Sequence, residues 1–156
     1  MRTAILCALL ASGLAFGANY REVTKAVGDD AMLATAGVTP ADARLRKQCK
    51  AAVLDSDDAP DFFDCVYVQT DKSLNLFSLE DGYLMSELQL TLTNIDGVAL
   101  QHMGRWSQVQ IWSGDRVTAL YIHGNGWIDP AQNDEVYRWL LEHGARPHEP
   151  HPWIGP

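Results

Sequence analysis

Residues 105–123 have the sequence RWSQVQIWSGDRVTALYIH, which predicts two antiparallel β-strands joined by a tight turn. Before Ser113-Gly114-Asp115, Gln108 and Gln110 alternate with Val109 and Ile111. After this turn, residues 116–123 are rich in β-branched and aromatic side chains, which is also typical of a strand. Glycine and aspartate at the turn supply the positive φ angles that a short hairpin needs. The side-chain pattern with a period of two also runs through the sequence before this hairpin. The hairpin and the residues before it therefore predict a fold organised by a β-sheet.

Four further strand candidates precede the hairpin and are separated by short turns such as Asp81-Gly82 and Asp96-Gly97. Short connections of this kind join antiparallel neighbours. The four candidates run from Phe62 to Gln69, Ser73 to Leu79, Tyr83 to Thr93 and Val98 to Met103. Together with the hairpin they predict an antiparallel β meander of five or six strands.

A helical segment over residues 18–54 is predicted before the meander. Thr39 is a suitable helix cap, and Pro40 suits the first helical position. Four apolar residues then recur at helical spacing: Leu45, Cys49, Ala52 and Val53. We expect one or two helices in this segment.

A C-terminal helix is predicted after the sheet. It begins with a cap at Asp129 and Pro130 and ends at Gly144. Its apolar stripe contains Val136, Trp139, Leu140 and His143. The predicted fold class is therefore α+β, with one domain in which residues 55–144 form the meander and its closing helix. Residues 145–156 contain four prolines and form a Pro/His-rich tail that we expect to be extended or mobile.

Residues 1–17 have the pattern of a secretory signal peptide. Met1-Arg2 precedes the apolar run TAILCALLASGLAFGA, which has small residues near its end. An uncleaved N-terminal membrane anchor is the main alternative interpretation of this segment, and a buried N-terminal helix is a further one. A signal peptide predicts a periplasmic or extracellular protein, whose contact with the membrane is limited to this segment if it is not cleaved.

The cysteine count agrees with export. Removal of Cys7 with the leader leaves an even pair, Cys49 and Cys65. In an oxidising compartment such a pair predicts one disulfide.

The charge balance restricts the class of partner. Twelve Lys and Arg residues against 20 Asp and Glu give a formal net charge of -8. Binding to a nucleic-acid backbone requires a surplus of cationic groups, so we expect no nucleic-acid partner. A basic protein is the favoured partner, and a glycan is an alternative.

Metal and cofactor sites are not indicated by any recognised motif, and we predict no cofactor and no metal. Two groups of residues are weak candidates for metal ligands: Asp55, Asp57 and Asp61 in an acidic linker, and His148 and His151 in the tail. The linker lacks the glycine and the bidentate glutamate of an EF-hand loop, so we interpret it as a solvated connection.

One strand carries candidate binding residues. Its alternation places four side chains on one face: Trp106, Gln108, Gln110 and Trp112. Aromatic platforms separated by amides could hold an extended glycan or the surface of a partner. The alternative, which we favour, is that this face lies under the C-terminal helix and packs against Trp139. We expect Trp112 to be buried and Trp106 to be the more exposed of the two.

The sequence therefore predicts a binding function. It contains no catalytic motif, so we expect an exported or membrane-anchored accessory protein, such as a partner-binding subunit, an inhibitor or an immunity-like protein. One alternative is a glycan- or envelope-binding module, which would expose a broad aromatic face. A hydrolase with an unrecognised active site is another, and it would have a cleft with convergent polar groups.

Overall fold

A mostly antiparallel sheet organises the chain in the computed structural model, which describes residues 20–55 and 60–155. The strands within these residues are β1 (Leu45–Leu54), β2 (Phe62–Gln69), β3 (Ser73–Glu80), β4 (Tyr83–Thr91), β5 (Gly97–Met103), β6 (Trp106–Ser113), β7 (Arg116–Gly124), β8 (Trp127–Ile128) and β9 (Arg146–Pro147). The α-helices are α1 (Tyr20–Val27), α2 (Asp30–Thr35) and α3 (Pro130–Glu142), and short 3-10 turns cover Pro40–Asp42 and Leu92–Asn94.

The order of strands across the sheet is β4-β3-β2-β1-β7-β6-β5-β9, and β8 pairs with β7. Strands β1 to β4 and β5 to β7 are two meanders, joined because β1 pairs with both β2 and β7. The first strand is therefore central in the sheet. Strand β9 belongs to the tail and pairs in parallel with β5.

The predicted architecture is confirmed in outline, but the sheet has more strands than predicted. Strands β2 to β7 lie at the predicted positions along the chain, and the C-terminal helix is present as α3. They do not form one meander: the pairing predicted between β4 and β5 is wrong, because β1 inserts between β2 and β7 and joins two shorter meanders. Nine strands in a single sheet make the described chain mostly β, with few helices, so α+β describes it only roughly.

The helix predicted after Pro40 is wrong. Pro40 begins only the 3-10 turn Pro40–Asp42, and the chain then enters β1. The apolar positions Leu45, Cys49 and Val53 are four residues apart, a spacing that fits one face of a helix and one face of a strand equally well. Pairing with β2 and β7 then decides in favour of the strand, because it satisfies the backbone groups of β1 on both sides.

The main core lies between α3 and one face of the sheet, which we call the inner face. Val136 and Leu140 of α3 are fully buried against residues of all seven long strands. Asn133 fixes the helix in place: its Nδ2 donates to the Ser107 carbonyl at 3.1 Å, and its Oδ1 accepts the Ile122 N–H at 2.9 Å. A buried amide with partners on β6 and β7 allows one position of α3 on the sheet.

The outer face, on the other side of the sheet, is covered in two separate places by the described part of the chain. Helices α1 and α2 cover the half formed by β2, β3 and β4, with Val23 and Leu33 buried there. The C-terminal tail covers the other half, where Ile154 packs against Val117 and Ala119.

The predicted disulfide is confirmed. Cys49 and Cys65 are directly opposite each other on β1 and β2, with their Cα atoms 4.8 Å apart. The bridge therefore joins two neighbouring strands, not a helix and a strand as the sequence suggested.

Within residues 20–55 and 60–155, none of the helices is long and apolar enough to cross a bilayer. The leader predicted over residues 1–17 lies outside the described residues.

Candidate functional site

The two faces of β6 have different covers. Val109 and Ile111 belong to the inner core under α3. Gln108 and Gln110 lie on the outer face, where both make hydrogen bonds to the tail. The alternation predicted for this strand is therefore present, but the expectation that α3 covers the amide face is wrong. The tail covers it.

The tail, residues 145–155, enters the outer face at the edge of the sheet. Arg146 and Pro147 pair with Gly97 and Val98, and the His148 N–H donates to the Val98 carbonyl at 2.9 Å. The His148 ring then stacks on Trp112, with the ring centroids 4.2 Å apart and an interplanar angle of 18°.

Gln110 binds the main chain of the tail at two points. Its Nε2 donates to the His151 carbonyl at 3.1 Å, and its Oε1 accepts the His151 N–H at 2.8 Å. A side-chain amide thus forms the pair of bonds that a neighbouring strand would form. Gln108 orients this amide, because its Oε1 accepts a further bond from Gln110 Nε2 at 2.7 Å.

The carbonyl of Ile154 has two donors. Gln108 Nε2 donates to it at 2.6 Å, and the Tyr121 hydroxyl donates to it as well. The Tyr121 ring also contacts Trp153 edge-on, at 5.7 Å between centroids. Burial raises the pKa of Tyr121 to about 12, so the phenol remains a neutral donor at physiological pH.

We call the group Gln108, Gln110, Trp112 and Tyr121 the cradle. Both glutamines are 0% exposed, and the cradle contains no ionised side chain. Neutral amides directed at backbone groups can hold an extended peptide, but they cannot supply a nucleophile or a general base. The cradle therefore holds the tail through neutral hydrogen bonds and ring contacts.

The candidate residues from the sequence separate in the structure. Gln108, Gln110 and Trp112 come together in the cradle, with Trp112 half-buried. Trp106 is 38% exposed and pairs across the hairpin with Met103, which is 49% exposed.

Tyr121 and the backbone of the tail also belong to this site and were not predicted from the sequence. Tyr121 carried a usable signal, since the alternation of β7 separates it from Leu120 and Ile122. The contact between Gln110 and His151 spans 41 residues and had no local signal.

A second concave region, which we call the cleft, lies between α3 and the ends of β1 and β2. Its volume is about 760 Å³. It is lined by Arg44, Leu45, Gln69, Asp71, Glu135, Arg138, Trp139, Glu142 and His143. A polar cleft is the feature that the hydrolase alternative predicted. These lining residues include no Ser, Thr or Cys, and a hydrogen bond from Arg44 lowers the pKa of Asp71, so that carboxylate is a poor proton donor.

The weak metal candidates do not form a site in the described part of the chain. No three His, Cys, Asp or Glu side chains come together there in an arrangement that could hold a metal ion. Asp55 pairs instead with Arg116, whose Nε lies 2.8 Å from Asp55 Oδ1, and Asp61 is exposed. His148 stacks on Trp112, and His151 Nδ1 is 3.1 Å from the carbonyl of Pro152. Asp57 lies outside the described residues.

Comparisons with known proteins identify no family. No protein-family model matches the chain, and no curated protein matches it. Among solved structures, the chain is similar to one described as Vav1 inhibited by an allosteric inhibitor, with a TM-score of 0.46 and 8% sequence identity. The match covers 65% of this chain and 26% of that one, so the chain spans about a quarter of its length. A similarity at this level supports no inference about function.

Proposed function

We propose that this protein is an exported accessory protein that binds another protein, and that the cradle on β6 and β7 is its docking site. The observation that carries the proposal is the pairing of a buried glutamine with both backbone groups of one residue in an extended segment. The occupant in the structure is the chain's own tail.

The chemistry of the cradle supports peptide binding. An apolar cover over this half of the sheet would need only apolar side chains beneath it, whereas burying two glutamines is costly unless each amide is satisfied. Here they are satisfied by backbone groups of the tail. Binding of a partner through the backbone of an extended segment is also how peptides add to sheet edges.

Export is supported by two observations. The leader pattern of residues 1–17 is typical of a signal peptide, and the disulfide between Cys49 and Cys65 is typical of an oxidising compartment. We therefore propose a periplasmic or extracellular location. The net charge of -8 favours a basic partner, whose association would be faster at low ionic strength.

A photo-crosslinking amino acid at position 106 tests the docking site. Trp106 is partly exposed and follows the alternation of Gln108, so a partner on the cradle lies within its reach. The matched control carries the same amino acid at Tyr83, which is 67% exposed on β4. We expect a crosslinked partner from the native envelope fraction at position 106 alone. Equal crosslinking at both positions, or none at position 106, contradicts the proposal.

Intact-mass measurement of the native protein tests export. We expect a mature chain that begins near Ala18, because the small residues Ala15 and Gly17 suit a leader peptidase. A full-length chain free in the cytosol would contradict this expectation.

Saccharide binding in the cleft is a second candidate function. Trp139 is half-buried there and lies beside His143, at 4.5 Å between ring centroids, among carboxylates and arginines. An aromatic face with polar groups around it suits a sugar ring. Titration calorimetry with envelope glycan fragments is the measurement. Arg138→Ala should weaken binding, and Arg116→Ala, remote from the cleft lining, is the control.

A further inference from the structure

We infer that the partner segment recognised by the cradle is an extended, proline-containing peptide, and that the tail is a built-in competitor for the same place. The inference rests on the proposed function, since it names the partner chemistry of the same site. It follows from which backbone groups of the tail the sheet satisfies and which side chains it buries.

Proline suits the positions on both sides of His151. The sheet provides an acceptor for the His151 N–H, and the neighbouring residues Pro150 and Pro152 have no N–H to satisfy. An extended segment with prolines at these two positions therefore leaves no donor there without a partner. Proline also restricts the free peptide to extended conformations, which reduces the entropy lost on binding.

Side-chain selection is expected at the end of the segment. Ile154 is 4% exposed and packs against Val117 and Ala119, while Trp153 is half-buried against Tyr121. The His151 side chain is exposed. The cradle therefore selects the pattern proline, any residue with an N–H, proline, aromatic residue, aliphatic residue.

The first part of the tail can be loosened without replacing a residue of the cradle. Gly97 faces His148, and a Cβ atom at position 97 would lie 3.0 Å from His148 Cδ2 and 3.3 Å from His148 Cβ. Gly97→Ala therefore disturbs His148 and its stacking on Trp112, and leaves the hydrogen-bonding side chains Gln108, Gln110 and Tyr121 in place. A peptide with the sequence of residues 149–155 lacks His148 and does not meet this Cβ.

Fluorescence anisotropy with the labelled peptide EPHPWIG and the full chain tests the inference. Gly97→Ala should lower the apparent Kd by about fivefold or more relative to the natural chain, because apparent affinity scales with the fraction of free cradle. Gly28→Ala is the matched control, since its Cβ would meet only the Lys25 carbonyl at 3.7 Å.

Ile154→Ala in the chain's own tail loosens the other end of the tail and should also lower the apparent Kd of the peptide. Gln110→Met should abolish binding in the Gly97→Ala background.

Two altered peptides test recognition of the backbone. Replacing His151 by proline in the peptide removes the N–H that Gln110 accepts, and binding should weaken about tenfold. Replacing the same residue by alanine keeps the N–H and removes only an exposed ring, so binding should be unchanged. Equal binding of the proline and alanine peptides overturns the inference.

The remaining outcomes separate the inference from the proposed function. If neither Gly97→Ala nor Ile154→Ala binds the peptide more tightly than the natural chain, the inference is overturned. Dimers of Gly97→Ala that exchange tails and bind no added peptide overturn it as well. A partner crosslinked at position 106 that the peptide does not displace supports the function and overturns the inference. If the peptide binds with the expected differences between variants but no partner is crosslinked, the tail is confirmed as a competitor for a proline-containing peptide, and the proposed function is contradicted.

Discussion

Gln110 connects three segments of the chain with one amide group. Its Nε2 contacts Gln101 on β5, Gln108 on β6 and the His151 carbonyl in the tail. All of these partners are neutral. Binding of the tail by Gln110 therefore depends on hydrogen-bond geometry and is insensitive to ionic strength. The association of a basic partner with the acidic surface, in contrast, depends on ionic strength.

Tyr121 should make the protein sensitive to alkali. Burial raises its pKa from the ordinary value of 10.0 to about 12, so the folded chain retains a proton that the unfolded chain loses between these values. The free energy of unfolding should therefore fall as the pH rises from about 10 to about 12. Tyr121→Phe should cost about 1 kcal/mol at neutral pH and flatten this fall. Urea denaturation at several pH values measures both effects, and exposed Tyr83→Phe should change neither.

His123 should make the protein sensitive to mild acid. Burial lowers the pKa of its imidazole, and its Nδ1 has no hydrogen-bond partner among the described residues. The unfolded chain then binds a proton at a higher pH than the folded chain, so stability is lost as the pH falls below the ordinary 6.5. The slope of unfolding free energy against pH should be smaller in His123→Phe. An NMR titration midpoint for His123 at or above 6.5 would contradict this prediction.

Strand β1 shows what local sequence determines and what it does not. Strands β2 to β7 have strand-forming residues and end in turn residues, so their existence along the chain could be predicted. The pairing expected between β4 and β5 was wrong, because β1 joins the two halves of the sheet and separates these strands. In β1, Ala52 favoured the prediction of a helix, because it falls on the helical stripe. A small residue is equally suited to a buried strand, and Ala52 is 0% exposed in β1, which pairs with a strand on each side. The prolines of the tail predicted an extended or mobile segment; in the structure Arg146–Pro147 form β9, and the residues that follow lie along the sheet. Docking of the tail on Gln110 depends on the folded sheet and could not be predicted locally.

The disulfide should contribute a large part of the stability of the paired strands β1 and β2. Cys49 and Cys65 are 16 residues apart in sequence, and closing a loop of this length removes about 3 kcal/mol of chain entropy from the unfolded state. The double variant Cys49→Ala, Cys65→Ala should therefore lose about 3 kcal/mol in urea denaturation. Peptide mapping without reductant should find one crosslink between these residues. Free thiols at both positions in the exported protein would exclude the bridge.

The two ends of β6 should respond differently to loss of tryptophan. Trp112 is half-buried under the His148 ring, so Trp112→Ala should cost about 2 kcal/mol, below the range for a fully buried tryptophan. Trp106 is 38% exposed, and Trp106→Ala should change stability by no more than about 0.5 kcal/mol. Thermal melting of both variants measures the difference. Equal destabilisation by the two substitutions would show that the tail does not cover Trp112 in solution.

At the scale of the whole molecule, one sheet separates the three apolar clusters found among residues 20–55 and 60–155. The inner cluster contains α3 and residues of every long strand, and the outer face has one cluster under α1 and α2 and another under the tail. The outer clusters share no residue. Departure of residues 148–155 from the cradle would therefore break up the tail cluster and leave the residues of the other two clusters in place, which is the condition for exchange with a partner segment.

This separation predicts that mutational effects in the two outer clusters are additive. Val23→Ala under the helices should cost about 2 kcal/mol and Ile154→Val under the tail about 1 kcal/mol. Substitutions without shared partners add to within about 0.5 kcal/mol, so the double variant should lose the sum. Val117→Ala combined with Ile154→Val is the control: both residues are in the tail cluster, and their effects should deviate from the sum by more than about 0.5 kcal/mol. Urea denaturation of the single and double variants of both pairs gives the two coupling energies. A coupling between Val23 and Ile154 as large as that in the control would mean that the outer face unfolds as one unit, and the tail could then not leave the cradle by itself.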